Sequence, residues 1–188
     1  MDIEKYIMEY SNVIPKDLTD EIMVANIDYQ KSSYSNKTGE VDNSNERVNM
    51  DEFWIRNTHE LYEPLKKCFV NAINMYMTDH PYFSVQHLTD FRINRYSEGG
   101  FMSKHYDSIH HSHGQHYGYP HATVLLYLND DYEGGDLTGE GTKVPQEVGS
   151  VIQMPQSGNV HLDRPRPHHG VTTVTKGTRY AMVFWNFE

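Results

Sequence analysis

Two stretches in the first half of the chain repeat apolar residues every three or four positions, which predicts helices with one buried face. The first stretch starts at Pro15 and carries acidic residues near its beginning. The second runs from Thr58 to Asp79, where Pro64 either lies in the first turn of a helix that begins near Tyr62 or kinks that turn. The apolar positions are Leu18, Ile22 and Ala25 in the first helix and Leu61, Leu65, Cys68, Phe69, Ala72, Ile73 and Tyr76 in the second.

Residues 29–50, between the two helices, are rich in Ser, Asn, Lys and Asp and show no sustained period. This pattern predicts a long surface loop. A linker between two domains is a weaker interpretation, because little chain precedes it.

Beyond residue 85 the period changes from helical spacing to β-branched and aromatic runs, several of which alternate with a period of two. Clusters of Gly with Asn, Asp or Glu separate the runs and predict turns. The order predicts a mainly β fold in which an antiparallel sandwich or jelly roll is braced by N-terminal helices. The predicted strands are 91–96, 122–128, 150–154, 171–175 and 179–187.

Length and composition fit a single domain of residues 1–188, with helical support over about 1–85 and a jelly-roll core over about 86–188. Apolar residues make up 37% of the chain, which is unlike a disordered protein. The N-terminus lacks the features of a signal peptide and no stretch approaches the length of a membrane span, so we expect a soluble, cytoplasmic protein that does not bind membranes. Cys68 is the only cysteine and suits a buried helix face better than a reactive role.

The net charge of −10 opposes nucleic-acid binding, because a phosphate backbone is repelled at long range and no dense Lys/Arg cluster is present. Twelve histidines are the unusual feature of the composition, and many of them fall within 105–121 and 161–169. These two segments are the candidates for chemistry.

The first segment contains His105-Tyr106-Asp107. On an extended strand, residues two apart point to the same face, so His105 and Asp107 can converge on one cation. The motif is weak evidence by itself, since His161-Leu162-Asp163 has the same form. Only the first of the two is followed, at long spacing, by another histidine that can complete a metal site.

That histidine is His169, and Arg179 follows it ten residues later. An even offset across two neighbouring strands lets both side chains face the inside of a barrel, whereas the parity of His168 turns it outward. Two imidazoles and one carboxylate on one face of an octahedral metal are typical of Fe(II) oxygenases, because three coordination positions stay open. A 2-oxo acid and dioxygen fill those positions, and Arg179 offers a bidentate partner for the distal carboxylate of 2-oxoglutarate.

From about Phe91 onward the chain resembles the 2-oxoglutarate and Fe(II)-dependent dioxygenases, specifically their prolyl 4-hydroxylase-like branch. The motifs that carry the resemblance are Tyr96 to Asp107, Thr123 to Asn129 followed by Glu133-Gly-Gly-Asp136, and His169-x-Val-x-x-Val-x-x-Gly-x-Arg-Tyr180.

The resemblance implies a double-stranded β-helix of the jelly-roll or cupin type. It implies that His105, Asp107 and His169 bind Fe(II), that Arg179 anchors the co-substrate 2-oxoglutarate, and that Tyr96 and Tyr127 help to hold it. It also implies O2 as oxidant, ascorbate as reductant, and release of succinate and CO2 as a C–H bond is hydroxylated. The retained Asp107 favours hydroxylation, since related halogenases have a small residue there.

Several residues also have plain structural interpretations. His110, His111, His113, His116 and His121 suit a solvated loop better than a second metal site. Trp54 and Trp185 are most simply core aromatics. The Glu133–Asp136 segment is first of all a turn before a strand.

The resemblance favours hydroxylation of proline in a peptide or protein. A hydroxylase of a free amino acid or other small molecule, and a metal-binding jelly roll without activity, are the alternatives, and charge disfavours a nucleic-acid demethylase. Loop 29–50 then has two interpretations, as plain surface or as a lid over a peptide substrate. The oligomeric state stays open.

Overall fold

The helices lie where apolar periodicity predicts them. A computed structural model describes residues 3–35, 41–42, 46–108, 120–139, 142–143, 147–155 and 168–187. A short 3-10 helix spans Ile3–Tyr6, helix α1 spans Lys16–Val24 and helix α2 spans Tyr62–Asp79. Pro64 lies in the first turn of α2, where its missing N–H breaks no helical hydrogen bond. Among the described residues, neither α-helix is long and apolar enough to cross a membrane.

The rest of the described chain is mainly β. In chain order the strands are β1 Met8–Tyr10, β2 Gln30–Lys31, β3 Tyr34–Ser35, β4 Val41–Asp42, β5 Val48–Asn49, β6 Asp51–Ile55, β7 His87–Leu88, β8 Phe91–Tyr96, β9 Phe101–His105, β10 Ala122–Tyr127, β11 Glu133–Gly134, β12 Leu137–Gly139, β13 Thr142–Lys143, β14 Val151–Pro155, β15 His169–Val171, β16 Val174–Lys176 and β17 Arg179–Phe187.

The larger sheet has the order β1-β14-β10-β17-β8-β6-β2, and β7 pairs with the far end of β17. Its described pairings are antiparallel. In the register between β8 and β17, Tyr96 lies opposite Arg179 and Arg92 lies opposite Val183. This register places Arg92 and Tyr96 of β8 next to β17, the longest strand of the sheet.

The smaller sheet has the order β13-β12-β15-β9-β5. Its centre is the β9–β15 pair, in which His105 lies opposite His169. Gly170 follows His169 on β15, and a Cβ there would lie 3.0 Å from the Met102 carbonyl oxygen on β9. The close approach of the backbones at Gly170 brings the two histidines together.

Alternating residues of the larger sheet serve two separate cores. The helix-side core packs α2 against the outer face of the sheet, with the Phe69 ring 4.4 Å from the Phe184 ring and 5.0 Å from the Phe91 ring, centre to centre. Cys68 borders this core half-buried, and burial raises the pKa of its thiol. The helix-side core comprises Ile14, Leu18, Ile22, Ile55, Leu61, Leu65, Phe69, Ala72, Ile73, Phe91, Ile93, Val124, Leu126, Leu128, Val151, Met182 and Phe184.

The inter-sheet core fills the space between the two sheets. It comprises Val48, Met50, Tyr96, Leu125, Tyr127, Leu137, Met154, Val171, Val174, Val183, Trp185 and Phe187. Two antiparallel sheets closed over one core, with helices outside the larger sheet, make the predicted double-stranded β-helix.

The prediction of an irregular loop over 29–50 is wrong at both ends. Gln30–Lys31 forms β2 and Val48–Asn49 forms β5, and Val48 and Met50 are buried in the inter-sheet core. Residues 36–40 and 43–45, to which much of the lid hypothesis applies, lie outside the described residues.

One predicted strand is divided, and one predicted apolar face is shorter than expected. The run 171–175 splits into β15 and β16, with Thr172 and Thr173 between them. Helix α1 ends at Val24, so Ala25 lies beyond the face formed by Leu18 and Ile22.

Candidate active site

Three side chains from the smaller sheet meet in one pocket between the sheets. His105 ends β9, Asp107 follows two residues later, and His169 begins β15. One ligand-type atom from each lies within 4.8 Å of those of the other two. Asp107 and His169 are buried and His105 is nearly so.

The spacing of these atoms suits a single metal ion. The Asp107 Oδ1 atom lies 3.2 Å from Nε2 of His105 and 3.7 Å from Nε2 of His169. Ligands bound at about 2.1 Å and at right angles to one another lie about 3 Å apart. The two nitrogens and one oxygen therefore fit an octahedral ion after small shifts, and leave three positions for other ligands.

Neighbouring groups orient two of the three candidate ligands. The Nδ1 atom of His105 lies 2.8 Å from the Ser103 carbonyl oxygen. A proton on Nδ1 donates to that oxygen and leaves the Nε2 lone pair for a metal.

The Asp107 carboxylate is held in the same way. Its Oδ2 atom accepts hydrogen bonds from the Thr123 hydroxyl and, at 2.8 Å, from the Trp185 indole nitrogen. Both donors are buried. They occupy one oxygen and leave Oδ1, the atom that faces the two histidines, for a metal.

The charges of the site suit a cation. Burial acts to raise the pKa of Asp107, but His169, His105 and the Thr123 hydroxyl outweigh it and hold this pKa well below its usual range. Burial lowers the pKa of His169 to about 4 against the opposing effect of Asp107. An ionised carboxylate and a neutral imidazole are the protonation states that bind a metal.

Arg179 forms the deep end of the pocket. It begins β17, its residue is 1% exposed, and its guanidinium lies 5.2 Å from the Tyr96 ring centre and 5.3 Å from that of Tyr127. Tyr127 belongs to the inter-sheet core, where it contacts Arg179, whereas its neighbour Leu126 belongs to the helix-side core. The site thus has a buried cation beyond the three candidate metal ligands.

A turn of the chain supports Arg179 from one side. Gly135 has a φ of +63°, and a Cβ at this position would lie 2.9 Å from Cδ of Arg179 and 2.9 Å from Cγ2 of Val174. The predicted turn over 133–136 therefore has a second role, because its glycine leaves room for the arginine side chain.

Two geometric expectations from the sequence need correction. Strand β9 ends at His105, so Asp107 lies two residues beyond the strand and not within it, although its carboxylate still reaches the His105 imidazole. His169 and Arg179 lie on strands of different sheets and not on neighbouring strands. They share the pocket because the two sheets face each other across it.

The alternative histidines fall into two groups. His168 packs its ring against Tyr106, 5.4 Å between ring centres, and lies outside the three-residue cluster. His121 is half-buried near Phe83. His110, His111, His113, His116 and His161 lie outside the described residues.

Sequence analysis missed the pocket roles of four residues, one of which, Trp185, also lies in the core as predicted. They are Arg92 and Asn94 on β8, Thr123 on β10 and Trp185 on β17. The alternation of β8 contains a usable signal, because residues two and four positions before Tyr96 must share its face. For Thr123 and Trp185 the contact with Asp107 joins distant parts of the chain, and no local pattern reveals it.

Comparison with known proteins agrees with this geometry. Residues 91–187 match the family model described as the 2OG-Fe(II) oxygenase superfamily. A PKHD-type hydroxylase of Acidovorax ebreus is 34% identical over 102 residues, and one of Parvibaculum lavamentivorans is 38% identical over 102 residues. Each match covers 50% of this chain but 41% of the relative, so the chain spans about two fifths of the length of these relatives.

Solved structures show the same fold at low identity. A viral collagen prolyl hydroxylase from Paramecium bursaria Chlorella virus-1 superposes with a TM-score of 0.67 at 18% identity, covering 100% of both chains. A prolyl hydroxylase from Trichoplax adhaerens, solved with a peptide fragment of hypoxia inducible factor, gives a TM-score of 0.68 at 16% identity and covers 97% of this chain and 84% of that one. The family match extends over more than half of the 188 residues, and the chain therefore belongs to the 2OG-Fe(II) oxygenase superfamily.

Proposed function

We propose that this protein is a 2-oxoglutarate-dependent Fe(II) dioxygenase that hydroxylates proline in a peptide or protein, and that residues 1–188 act as one oxygenase domain. The observation that carries the proposal is the cluster of His105, Asp107 and His169 in one pocket with the Arg179 guanidinium. When bound, Fe(II), 2-oxoglutarate and O2 supply the oxidising chemistry, which releases succinate and CO2 and adds one oxygen atom to a C–H bond of the substrate.

Each side chain of the cluster has a definite task in this proposal. Nε2 of His105, Oδ1 of Asp107 and His169 hold the iron on one face. Arg179 binds the distal carboxylate of 2-oxoglutarate through paired hydrogen bonds, and Tyr96 and Tyr127 pack beside it. Thr123 and Trp185 keep the second oxygen of Asp107 occupied, so that the carboxylate binds the metal through one atom.

Apolar residues of the pocket wall exclude water from the reacting groups. They are Leu125, Leu137, Val171 and Val183. A dry wall strengthens the interaction between Arg179 and a carboxylate, because the local dielectric is low.

The choice of proline rests on the similar proteins. Two of the structures that share the fold are prolyl hydroxylases, and one of these was solved with a peptide. Ascorbate is proposed as the reductant that keeps the iron ferrous.

The first test measures succinate formed from 2-oxoglutarate under air with Fe(II) and ascorbate, with and without proline-containing peptides, while mass spectrometry follows a gain of one oxygen atom. We expect succinate in step with hydroxylated peptide. His169→Ala should abolish both, whereas the matched control His168→Ala should retain both, because His168 lies outside the cluster.

Three results would contradict parts of the proposal. Metal binding without any succinate would favour a metal-binding module without activity. Succinate coupled only to free amino acids would move the substrate from peptides to small molecules. Equal loss of activity in His168→Ala and His169→Ala would contradict the assignment of the ligands.

A further inference from the structure

The pocket contains a second buried guanidinium, that of Arg92. Arg92 lies in the middle of the sheet on β8, its residue is 7% exposed, and it lines the same pocket as the candidate metal ligands and Arg179. A buried arginine normally has its donors satisfied by anions or carbonyl groups, because burial of an unpaired charge costs several kcal/mol. The partners of Arg92 therefore indicate what the pocket can bind.

The protein partners of Arg92 are incomplete. Its guanidinium lies 4.8 Å from the Trp185 ring centre and 5.7 Å from that of Trp54, which satisfies its faces and not its N–H groups. The Nε atom is buried and has no hydrogen-bond partner among the described residues. One Nη atom lies 3.5 Å from Oε2 of Glu52, beyond the usual length of about 2.7–3.2 Å for such a bond.

Glu52 pairs with Arg92 at a single nitrogen of the guanidinium, and both of its oxygens also accept from neutral donors at closer range. Oε2 accepts a 2.7 Å hydrogen bond from the Ser32 hydroxyl, and Oε1 lies 3.2 Å from the Trp54 indole nitrogen. Glu52 thus reaches one Nη atom of Arg92 at 3.5 Å, while the buried Nε donor has no partner among the described residues, so the guanidinium keeps a donor that a ligand can use.

Arg92 lies beside the metal site, and its backbone is well separated from that of the co-substrate anchor. The Trp185 ring that it covers is the one whose nitrogen donates to Asp107. Along β8, Arg92 is four residues from Tyr96, the register partner of Arg179, which corresponds to about 13 Å at the usual rise of a strand. This is the separation of the two backbone positions, and on this ground we assign Arg92 and Arg179 to different anionic groups.

We propose that Arg92 binds a carboxylate of the primary substrate and thereby places the reacting C–H bond beside the metal. This inference rests on the proposed oxygenase function and narrows its substrate class to compounds with a carboxylate close to the oxidised carbon. The α-carboxylate of a free amino acid, the C-terminus of a peptide and an acidic side chain next to the target residue all supply this group.

The first test uses the unaltered protein loaded with Mn(II) and 2-oxoglutarate, and compares binding of matched acid and amide probes by calorimetry. The pairs are L-proline with L-prolinamide, a tripeptide ending in proline as free acid and as amide, and an internal-proline peptide with Glu or Gln beside the proline. The pair with the largest difference identifies the source of the carboxylate. We expect the acid of one pair to bind about 10- to 100-fold more tightly, the range for hydrogen bonds to a charged group.

The second test compares Arg92→Met with Arg95→Met. Arg95 is the matched control because it lies on the opposite face of the same strand, where its guanidinium binds Asp51. Arg92→Met should remove the acid preference and leave the KM for 2-oxoglutarate within about twofold, Arg92→Lys should keep part of the preference, and Arg95→Met should keep all of it.

Each outcome bears on one proposal. Equal binding of acid and amide in every pair, or no binding of any acid, overturns the role of Arg92 without need of a variant. A raised KM for 2-oxoglutarate in Arg92→Met, with the acid preference unchanged, assigns Arg92 to the co-substrate. That result also overturns the proposal that Arg92 binds a carboxylate of the primary substrate. Succinate formation from the Fe(II) protein shows that the oxygenase function stands in either case, whereas its absence counts against that function separately.

Discussion

Removal of the Thr123 hydroxyl should weaken metal binding although Thr123 is not a candidate ligand. Thr123 is buried, and its hydroxyl donates to Oδ2 of Asp107 beside the donor nitrogen of Trp185. Thr123→Val keeps the shape of the side chain and removes this donor. Oδ2 of the carboxylate then loses one of its two donors and can turn toward the metal site.

The size of the effect follows from the type of bond. A hydrogen bond to a charged acceptor contributes about 1.5–3 kcal/mol, and about 1.4 kcal/mol corresponds to a factor of ten in affinity. We therefore expect metal affinity to fall about 10- to 100-fold, which agrees with the effect of outer partners in other metal sites. Trp185 remains in place, so the lower end of this range is the better expectation.

The assay is an anaerobic Mn(II) titration in which free ion is followed by electron paramagnetic resonance. Thr123→Ser keeps the hydroxyl and should bind nearly as well as the unaltered protein. Thr19→Val is the matched control, since Thr19 is also buried but its hydroxyl donates to the carbonyl of Pro15, the residue just before α1. If folded Thr123→Val binds Mn(II) as tightly as Thr19→Val, the idea that Thr123 positions Asp107 is wrong.

Three further predictions concern the co-substrate anchor and the sheet. Arg179→Lys should raise the KM for 2-oxoglutarate at least about tenfold, because lysine keeps the charge and loses the bidentate fork. Steady-state kinetics measures this change, and an unchanged KM would contradict the role of Arg179. Gly135→Ala should raise the same KM and lower the free energy of unfolding by about 1–3 kcal/mol, since the added Cβ meets Arg179. Gly99 has a similarly positive φ of +81°, but a Cβ there would have no atom within 4 Å, so Gly99→Ala should lower stability and leave the KM unchanged. Burial acts to raise the pKa of Asp51, but hydrogen bonds from Lys31 and Arg95 lower it overall. Asp51→Asn should therefore lower the free energy of unfolding by about 1 kcal/mol at neutral pH. Urea unfolding should show this difference between the two proteins vanish as the pH falls below about 4, where Asp51 becomes protonated.

The helices and the central strands were predictable because their signals are local. Phe91–Tyr96 intersperses apolar with polar residues and Arg179–Phe187 is mainly apolar and aromatic, and both form strands at the predicted residues. Tyr62–Asp79 has the helical period throughout. In each segment the local preference and the packing agree, so the pattern alone was sufficient.

Strand β6 was missed because its stabilising partners lie elsewhere in the chain. Its first residues, Asp51 and Glu52, are acidic, and by composition they read as the end of a loop. In the sheet Asp51 binds Arg95 and Glu52 lies near Arg92, both on β8. A sequence pattern contains no information about such cross-strand pairs.

The candidate site divides along the same line. His105, Asp107, His169 and Arg179 fall at motif spacings, and the structure brings all four to one pocket. Arg92 had no motif to mark it. It became a candidate only when the fold placed its guanidinium beside two neighbouring tryptophan rings, one of which contacts the metal site.

The direct pairing of His105 with His169 across β9 and β15 links metal occupancy to the cohesion of the smaller sheet. An ion bound by both imidazoles would act as a crosslink between two neighbouring strands, and its removal would leave that ladder to backbone hydrogen bonds alone. Amide hydrogens of β9 and β15 should then exchange faster with solvent deuterium after chelation, while those of β10 and β17 in the opposite sheet keep their protection. Metal occupancy would thus determine how often the smaller sheet opens locally as well as whether the site is active.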